Sequence, residues 1–387
     1  MLNVTWPVRV AFITGNAFDI LTSGRDGVIG GAQVQQYYLG KELSNRGHDI
    51  YYIEDDGEGK SPQSVDRLDI RLRERPDERG RVRQVSSWIH HTYRVLSDIT
   101  PDICYCRVLS FDIIPVLIAC RLTGTKCVYN FAHDSELTEE PVTFDSQLTQ
   151  SKVYKKAMNL ALGSFDTLIA QNEFQYNKAV ERFNVKVAHI PNGYPIKSVS
   201  TEQSVFEQKS DPIALWVGTI RSEKDPKALL NLAEKMPTVT FVMAGGKRDE
   251  EADLYDEVKR KTAEMENVDF RGFVPHSEVL EYYAAADVFV NTSISEGFPN
   301  TFLEAWAHGT PVASFRIDPD KIIERNGLGV VGDGTIESMK EGITTILKEE
   351  SDEINTKCRD YVRENHSIET ITDQYENLFR KVIQQSK

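Results

Sequence analysis

One pattern occurs twice in this chain and limits what it can fold into: an apolar strand that runs into a loop, then a helix, then another strand. The first copy starts at Val8–Thr14, read Val-Arg-Val-Ala-Phe-Ile-Thr, and enters a loop carrying Gly15, Gly24, Gly27, Gly30 and Gly31. Ala32–Asn45 follows with Val34, Tyr38, Leu39 and Leu43 at helical spacing and stops at Gly47, a suitable C-terminal glycine. Asp49–Ile53 is the next strand. Further strands are expected at Ile103–Arg107, Lys126–Asn130 and Thr167–Gln171, with helices over 84–97, 111–122 and 151–164.

The second copy starts at Ile213–Val217. A loop, Gly218–Asp225, leads to a helix, Pro226–Lys235, and strands follow at Val239–Ala244, Val268–Phe270, Val288–Thr292 and Pro311–Ser314. Strands alternating with helices predict open, mostly parallel α/β sheets. Between the copies, residues 195–212 are polar with few apolar anchors and mark the boundary. The expected domains are 1–200 and 201–366. An amphipathic helix over 367–387 closes the chain, with the N-terminal domain as the candidate surface it packs back on. A length of 387 residues suits two such domains at roughly 150 residues each.

Charge narrows the function class. The chain carries 45 basic and 59 acidic residues, a net charge of -14, which argues against nucleic acid as a partner. Five cysteines, Cys104, Cys106, Cys120, Cys127 and Cys358, are not a disulfide framework, and their spacing completes no zinc ligand set. No metal site is expected. The N-terminus shows no basic region followed by an apolar run, and no stretch approaches the ~18 apolar residues of a spanning helix. A cytoplasmic protein is expected.

Two nucleotide motifs fail. Gly57-Glu58-Gly59-Lys60-Ser61 lacks the glycine that a phosphate-binding P-loop needs five positions before Gly59, where Glu54 stands. No G-x-G-x-x-G follows Val8–Thr14. Gly30-Gly31-Ala32 at a loop-to-helix junction is either a flexible hinge or a place where free N–H groups meet an anion.

The most informative segment is 286–312. A strand enters the loop Ser293–Asn300, and a helix over Thr301–His308 ends at Gly309-Thr310-Pro311. Open α/β sheets bind ligands at the carboxyl ends of their strands. Glu296 in the loop suits sugar hydroxyls. The N–H groups of Asn300, Thr301 and Phe302 suit a phosphate, and Glu304 is either a ligand contact or a charge that favours the helix start. Arg221 and Lys224 in Gly218–Asp225 suit the negative charge of a diphosphate leaving group. His133, at the exit of the strand Lys126–Asn130, either faces a cleft or is an ordinary surface histidine beside Asp134.

In order and spacing these segments resemble a known family. They are Gly30-Gly31-Ala32, Arg46-Gly47-His48-Asp49-Ile50, Ile190-Pro191-Asn192-Gly193, Gly218 to Lys224, Ala244-Gly245-Gly246, Phe270-Arg271-Gly272-Phe273-Val274 and Tyr283-Ala284-Ala285-Ala286-Asp287. The strongest is Glu296-Gly-Phe-Pro-Asn-Thr-Phe-Leu-Glu304, a Glu-x7-Glu signature. Over nearly its whole length the chain resembles the retaining GT-B fold glycosyltransferases of family 4, glycosyl transferases group 1. The resemblance implies two Rossmann-like domains facing across a cleft, the N-terminal one for the acceptor and the C-terminal one for a nucleoside-diphosphate sugar of UDP or GDP type. It implies catalytic roles for His133, Lys224 and Glu296. It implies donor binding by Gly31, Arg221, Lys224, Gly272, Phe273, Val274, Glu296, Asn300, Thr301, Phe302 and Glu304, with no metal or other cofactor. Two positions depart from the pattern: Thr219 stands where the family usually has arginine, with Arg221 two residues on, and 171–173 reads Gln-Asn-Glu instead of a small residue.

The expected reaction is sugar transfer to a hydroxyl of a glycan or lipid-linked glycan. An epimerase or phosphorylase of the same architecture and a nucleotide-sugar-binding scaffold without activity are the alternatives. Residues 67–94 hold eight arginines (Arg67, Arg71, Arg73, Arg75, Arg79, Arg81, Arg83 and Arg94) against Asp69, Glu74, Asp77 and Glu78. They are expected to be either a solvated loop before a core-facing helix or a patch for an anionic membrane surface or lipid diphosphate, placing the protein at the inner face of the cell membrane.

Overall fold

A computed structural model describes residues 6–14, 17–23, 30–57, 60–74, 81–107, 109–110, 112–138, 152–196, 211–348 and 351–385. The chain separates into two compact units, one including Ile29–Gly193 and Ile368–Lys387, the other Tyr194–Ser367.

The first unit is built on β1 (Arg9–Ile13), β2 (Asp49–Asp55), β3 (Gln63–Val65), β4 (Leu68–Arg73), β5 (Ile103–Arg107), β6 (Lys126–Asn130), β7 (Thr167–Ala170) and β8 (Lys186–His189). They order as β3-β4-β2-β1-β5-β6-β7-β8, and every neighbouring pair is parallel except β3 with β4. The second unit holds β9 (Ile213–Val217), β10 (Thr240–Ala244), β11 (Val268–Gly272), β12 (Val288–Asn291), β13 (Val312–Ser314) and β14 (Gly329–Val331). Their order is β11-β10-β9-β12-β13-β14, all parallel. Helices cover parallel sheets on both faces, so the strands read as continuous apolar runs. Thus Ile213, Ala214, Leu215 and Trp216 are all buried, as are all five residues of β10.

Each sheet has one point where the strand order reverses. In the first unit it lies between β1 and β5, in the second between β9 and β12. Loops leaving adjacent strands there turn to opposite faces and leave a crevice at the carboxyl edge.

Local chemistry sets the helices around these points. Asp225 caps the helix Pro226–Lys235, its side chain accepting the Ala228 N–H (3.2 Å), with proline in the first turn. The helix Asn300–His308 ends at Gly309, whose φ of 88° suits a residue without a Cβ. The closing helix, Ile368–Gln384, belongs to the first unit and buries Ile368, Ile371, Tyr375, Phe379 and Val382 along one face. Its polar side meets Arg46 through Asp373 (2.5 Å) and His48 through Glu376 (2.8 Å).

The arginine-rich stretch departs from expectation. Leu68–Arg73 is a strand, not a loop, pairing with β2 from Ile50 to Asp55. Arg73 is fully buried between Asp55 and Asp112, the latter at 2.6 Å, so it is no part of a surface patch. Arg71 pairs with Asp69 at 3.5 Å, and Arg94 is exposed. Spacing misses β4 because its charged residues alternate with Leu68, Ile70 and Leu72, which the count of arginines overrode. Arg75, Arg79, the side chains of Arg81 and Arg83, the glycines at 15, 24 and 27, and residues 197–210 of the polar boundary lie outside the described residues.

Gly245, just past β10, is required by close approach. A Cβ there would run into the backbone carbonyl of Gly218 and lie 2.9 Å from Ile220. Gly245→Ala is expected to push the 218–225 loop outward and cost about 1–3 kcal/mol, the range for overpacking a filled core. Urea denaturation measures it; an unchanged midpoint contradicts it.

Candidate functional site

In the second unit the loops that leave β9 and β12 are tied together at the strand-order reversal. The Trp216 indole donates to the Thr292 hydroxyl (2.9 Å), and that hydroxyl donates to the Lys224 carbonyl (2.5 Å). The Ile294 N–H donates to the Glu223 carbonyl (2.9 Å). These bonds fix a short helical turn, Ser222–Lys224, against the loop after β12. They bring the Lys224 ammonium onto the Glu296 carboxylate, which also accepts the Ser293 hydroxyl (2.7 Å). Both side chains keep part of their surface open, 20% for Lys224 and 11% for Glu296. A cation and a carboxylate so placed can meet an anionic group and a hydroxyl side by side.

Glu304 lies one turn into the helix Asn300–His308 and is 5% exposed. Its Oε1 is 2.8 Å from His276 Nε2, and its Oε2 accepts the Tyr283 hydroxyl at 3.0 Å. Burial pushes the carboxyl up. The charge and hydrogen bond of His276 and the hydrogen bond of Tyr283 pull it down further, so the pKa ends below its ordinary 4.5. Its contribution to stability is present above that value and is lost as pH falls. A carboxylate has about four lone-pair directions. Two are used here, leaving capacity for hydroxyls of a ligand.

His276 was not singled out in the sequence, though it follows directly on Gly272-Phe273-Val274-Pro275, and Tyr283 entered only as the first residue of Tyr283-Ala284-Ala285-Ala286-Asp287, with no role assigned. That segment leaves β11 at the same sheet edge. Gly272 has φ of 65°, and Phe273 is 45% exposed, an aromatic face left open beside Gly246.

Other expected residues divide. The helix starts at Asn300, one residue earlier than expected, and the Phe302 N–H already donates to the Pro299 carbonyl (3.1 Å). That donor already has an acceptor within the protein. Thr301 follows in the first turn. Arg221 pairs with Glu223 (3.1 Å), and its Nε is buried without an acceptor.

Gly31 and His133 belong to the first unit. Gly31 opens the helix Gly31–Asn45 after Gly30, an extended residue with no side-chain cap. His133 Nδ1 accepts the Ser135 N–H (3.1 Å) and so caps the turn Asp134–Leu137. Glu136 holds this corner. It accepts the N–H groups of Ala132 (3.1 Å) and His133 (3.2 Å) and the Tyr129 hydroxyl (2.7 Å). Burial above all pushes its pKa up to about 7, against those hydrogen bonds.

Sulfur chemistry also differs from the spacing argument. Cys104 on β5, Cys127 opposite it on β6 and Cys120 on the helix Ile113–Thr123 place their sulfurs within 4.8 Å of one another. Sequence spacing could not see a cluster assembled from three elements. All three are buried thiols with raised pKa, Cys104 chiefly through its bond to Cys106 and Cys127 chiefly through burial. They sit within the core of the first unit.

Residues 29–197 match the family described as Glycosyltransferase Family 4, and residues 200–365 match Glycosyl transferases group 1. Alpha-galactosylglucosyldiacylglycerol synthase of Streptococcus pneumoniae is 31% identical over 173 residues, 42% of this chain and 45% of that protein. The chain thus spans under half the length of that curated relative. Sucrose-phosphate synthase from Thermosynechococcus elongatus superposes with a TM-score of 0.79 at 16% identity, over 97% of this chain and 99% of that one. HepE of Anabaena, in complex with UDP and glucose, gives 0.75 at 16%, over 96% and 99%.

The Glu136 pKa has a testable consequence. A carboxyl raised in the folded state favours folding fully below its ordinary 4.5 and loses that advantage as pH rises through about 7. Relative to Glu136→Gln, the native chain is expected to lose on the order of 3 kcal/mol between those values and to level off above them. Urea denaturation across this pH range measures the difference, and a flat difference contradicts it.

Proposed function

The chain belongs to the glycosyltransferases of group 1, with the GT-B fold, and we propose that it moves a sugar from a nucleoside-diphosphate sugar to a hydroxyl acceptor. The observation that carries this reading is the Lys224–Glu296 pair at the β9/β12 reversal, with the buried Glu304 on the helix that follows. The second unit takes the donor. Lys224, and Arg221 beside it, neutralise the diphosphate. Asn300 and Thr301 face it at the positive end of their helix. Glu304 accepts the ribose hydroxyls, Glu296 a hydroxyl of the sugar, and Gly272-Phe273-Val274 line the base. The donor is of UDP or GDP type, as in HepE, whose complex holds UDP and glucose. The donor site is formed by these side chains and needs no metal.

The chemistry follows from charge. The bond between the anomeric carbon and the β-phosphate oxygen breaks, and its electron pair leaves with the nucleoside diphosphate. Lys224 stabilises that charge as it forms. The acceptor oxygen bonds to the anomeric carbon on the face the phosphate leaves, and its proton passes to a leaving phosphate oxygen. Configuration is therefore retained. Glu296, held by Lys224 and Ser293, orients the donor sugar and forms no covalent intermediate. The first unit, which carries Gly31 and His133, takes the acceptor, a glycan or lipid-linked glycan. No helix among the described residues is long and apolar enough to cross a membrane. We propose contact with the inner membrane surface through arginines of 67–94 other than Arg73, of which Arg67 and Arg94 are exposed among the described residues.

Nucleoside diphosphate release that depends on an acceptor separates transfer from a binding scaffold, and NMR of the product's anomeric centre tests retention. Lys224→Ala is expected to lower kcat by about 100- to 1000-fold, the loss typical of a removed charge-stabilising group. Glu304→Gln is expected to weaken UDP or GDP binding about tenfold by titration calorimetry, as loss of a charged hydrogen-bond acceptor implies. Unchanged donor binding and turnover in both variants would overturn the placement.

A further inference from the structure

Gln171 and Asn172 stand where the family pattern usually has a small residue. They follow β7 into the helix Glu173–Arg182, and with Gln175 in its first turn they are buried. Buried carboxamides are costly unless they are bonded. These reach back to the turn that follows β6. Gln171 Nε2 donates to the Phe131 carbonyl. Asn172 Nδ2 (3.0 Å) and Gln175 Nε2 (2.8 Å) both donate to Asp134 Oδ1. Gln175 Oε1 accepts the Gln171 N–H (2.9 Å), so the two glutamines are joined as well.

One of these groups also caps the helix: Asn172 Oδ1 accepts the Gln175 N–H (2.7 Å). The bonds to Phe131 and Asp134 add nothing to that cap. They leave the helix and grip the two residues that flank Ala132-His133. Glu136 takes the N–H groups of Ala132 and His133 between them. Every residue from Phe131 to Asp134 is therefore held by a buried side chain. Within the turn, His133 Nδ1 accepts the Ser135 N–H (3.1 Å), so the neutral ring carries its proton on Nε2.

We propose that Asp134, Gln171, Asn172 and Gln175 are positioning residues, a clamp that holds His133 with its imidazole presented as an Nε2–H donor. The proposal rests on the sugar-transfer reading and deepens it: His133 meets the substrate, and the clamp acts through His133. A small residue at 171 has no amide to reach the Phe131 carbonyl, so the clamp explains a departure of this chain from the family pattern. Misplacing a catalytic group by about 1 Å can cost on the order of 100-fold in rate, which is what such a clamp prevents. A neutral ring that donates from Nε2 cannot take the acceptor's proton there. That agrees with the proton passing to a leaving phosphate oxygen.

Turnover kinetics and nitrogen NMR of histidine-labelled full chain test it together. Asp134→Ala removes the acceptor of both amides. Asn172→Asp keeps a helix-capping oxygen and sets a carboxylate against Asp134, so it breaks the clamp in a chain that still caps its helix. Both are expected to lower kcat about 10- to 100-fold, with UDP or GDP binding by titration calorimetry unchanged. Asp134→Asn, which keeps Oδ1, is expected to retain most of the activity. In a His133→Ala background neither Asp134→Ala nor Asn172→Asp is expected to lower kcat further, because residues that act as a unit are not additive. The His133 imidazole is expected to show one Nε2–H tautomer in the wild type and a mixture in the two clamp variants. Unchanged kcat in both variants, losses that add to that of His133→Ala, or a His133 tautomer unaltered in both variants overturns the clamp. A wild type without acceptor-dependent turnover counts against the transfer reading, and the NMR result still decides whether the clamp holds His133.

Discussion

Reversal of strand order in a parallel sheet is the constraint on which the rest of this molecule depends. Parallel strands send all their carboxyl ends to one edge, and helices must then cross back over one face or the other. Where two adjacent strands send their helices to opposite faces, the loops part and the edge opens. The chain does this twice, between β1 and β5 and between β9 and β12. The side chains with the most chemistry collect there: Lys224 and Glu296 at one reversal, Arg107 at the other.

Electrostatics then holds each edge in shape. Glu304 would be destabilising as a lone buried charge. His276 and Tyr283 compensate it, tying the helices His276–Ala285 and Asn300–His308 together. Removing one partner of such a buried pair typically costs about 3–5 kcal/mol. Lys224 and Glu296 are in direct contact but stay partly open to solvent, as a pair must be if a ligand is to enter it. Arg107 is buried as well, with its Nε left without an acceptor.

Much of this was legible in the sequence. The apolar runs Ile103–Arg107, Lys126–Asn130 and Ile213–Val217 are strands with those bounds, because continuous burial on both faces leaves an unambiguous pattern. Glycines and prolines placed the helix Pro226–Lys235 and the end of Asn300–His308. Loop position and motif single out Lys224, Glu296 and Glu304, and the structure puts Lys224 against Glu296. What escaped depends on contacts between distant segments. β4 was hidden by its arginines, and the burial of Arg73 needs Asp55 and Asp112 from two other elements. The His276–Glu304 bond joins residues 28 apart, and the three clustered cysteines come from two strands and a helix. Arg107 closes an ordinary-looking strand, and only the sheet order puts it beside a cavity.

On this reading the β9/β12 reversal receives a nucleoside diphosphate. A crystal structure of the full chain with UDP or GDP tests it most directly, through the distance from Lys224 Nζ to the nearest phosphate oxygen. Hydrogen-bond contact, below about 3.2 Å, is expected, with ribose hydroxyls on the Glu304 carboxylate. A diphosphate bound away from Lys224, with Glu304 still satisfied by His276 and Tyr283 alone, would contradict it.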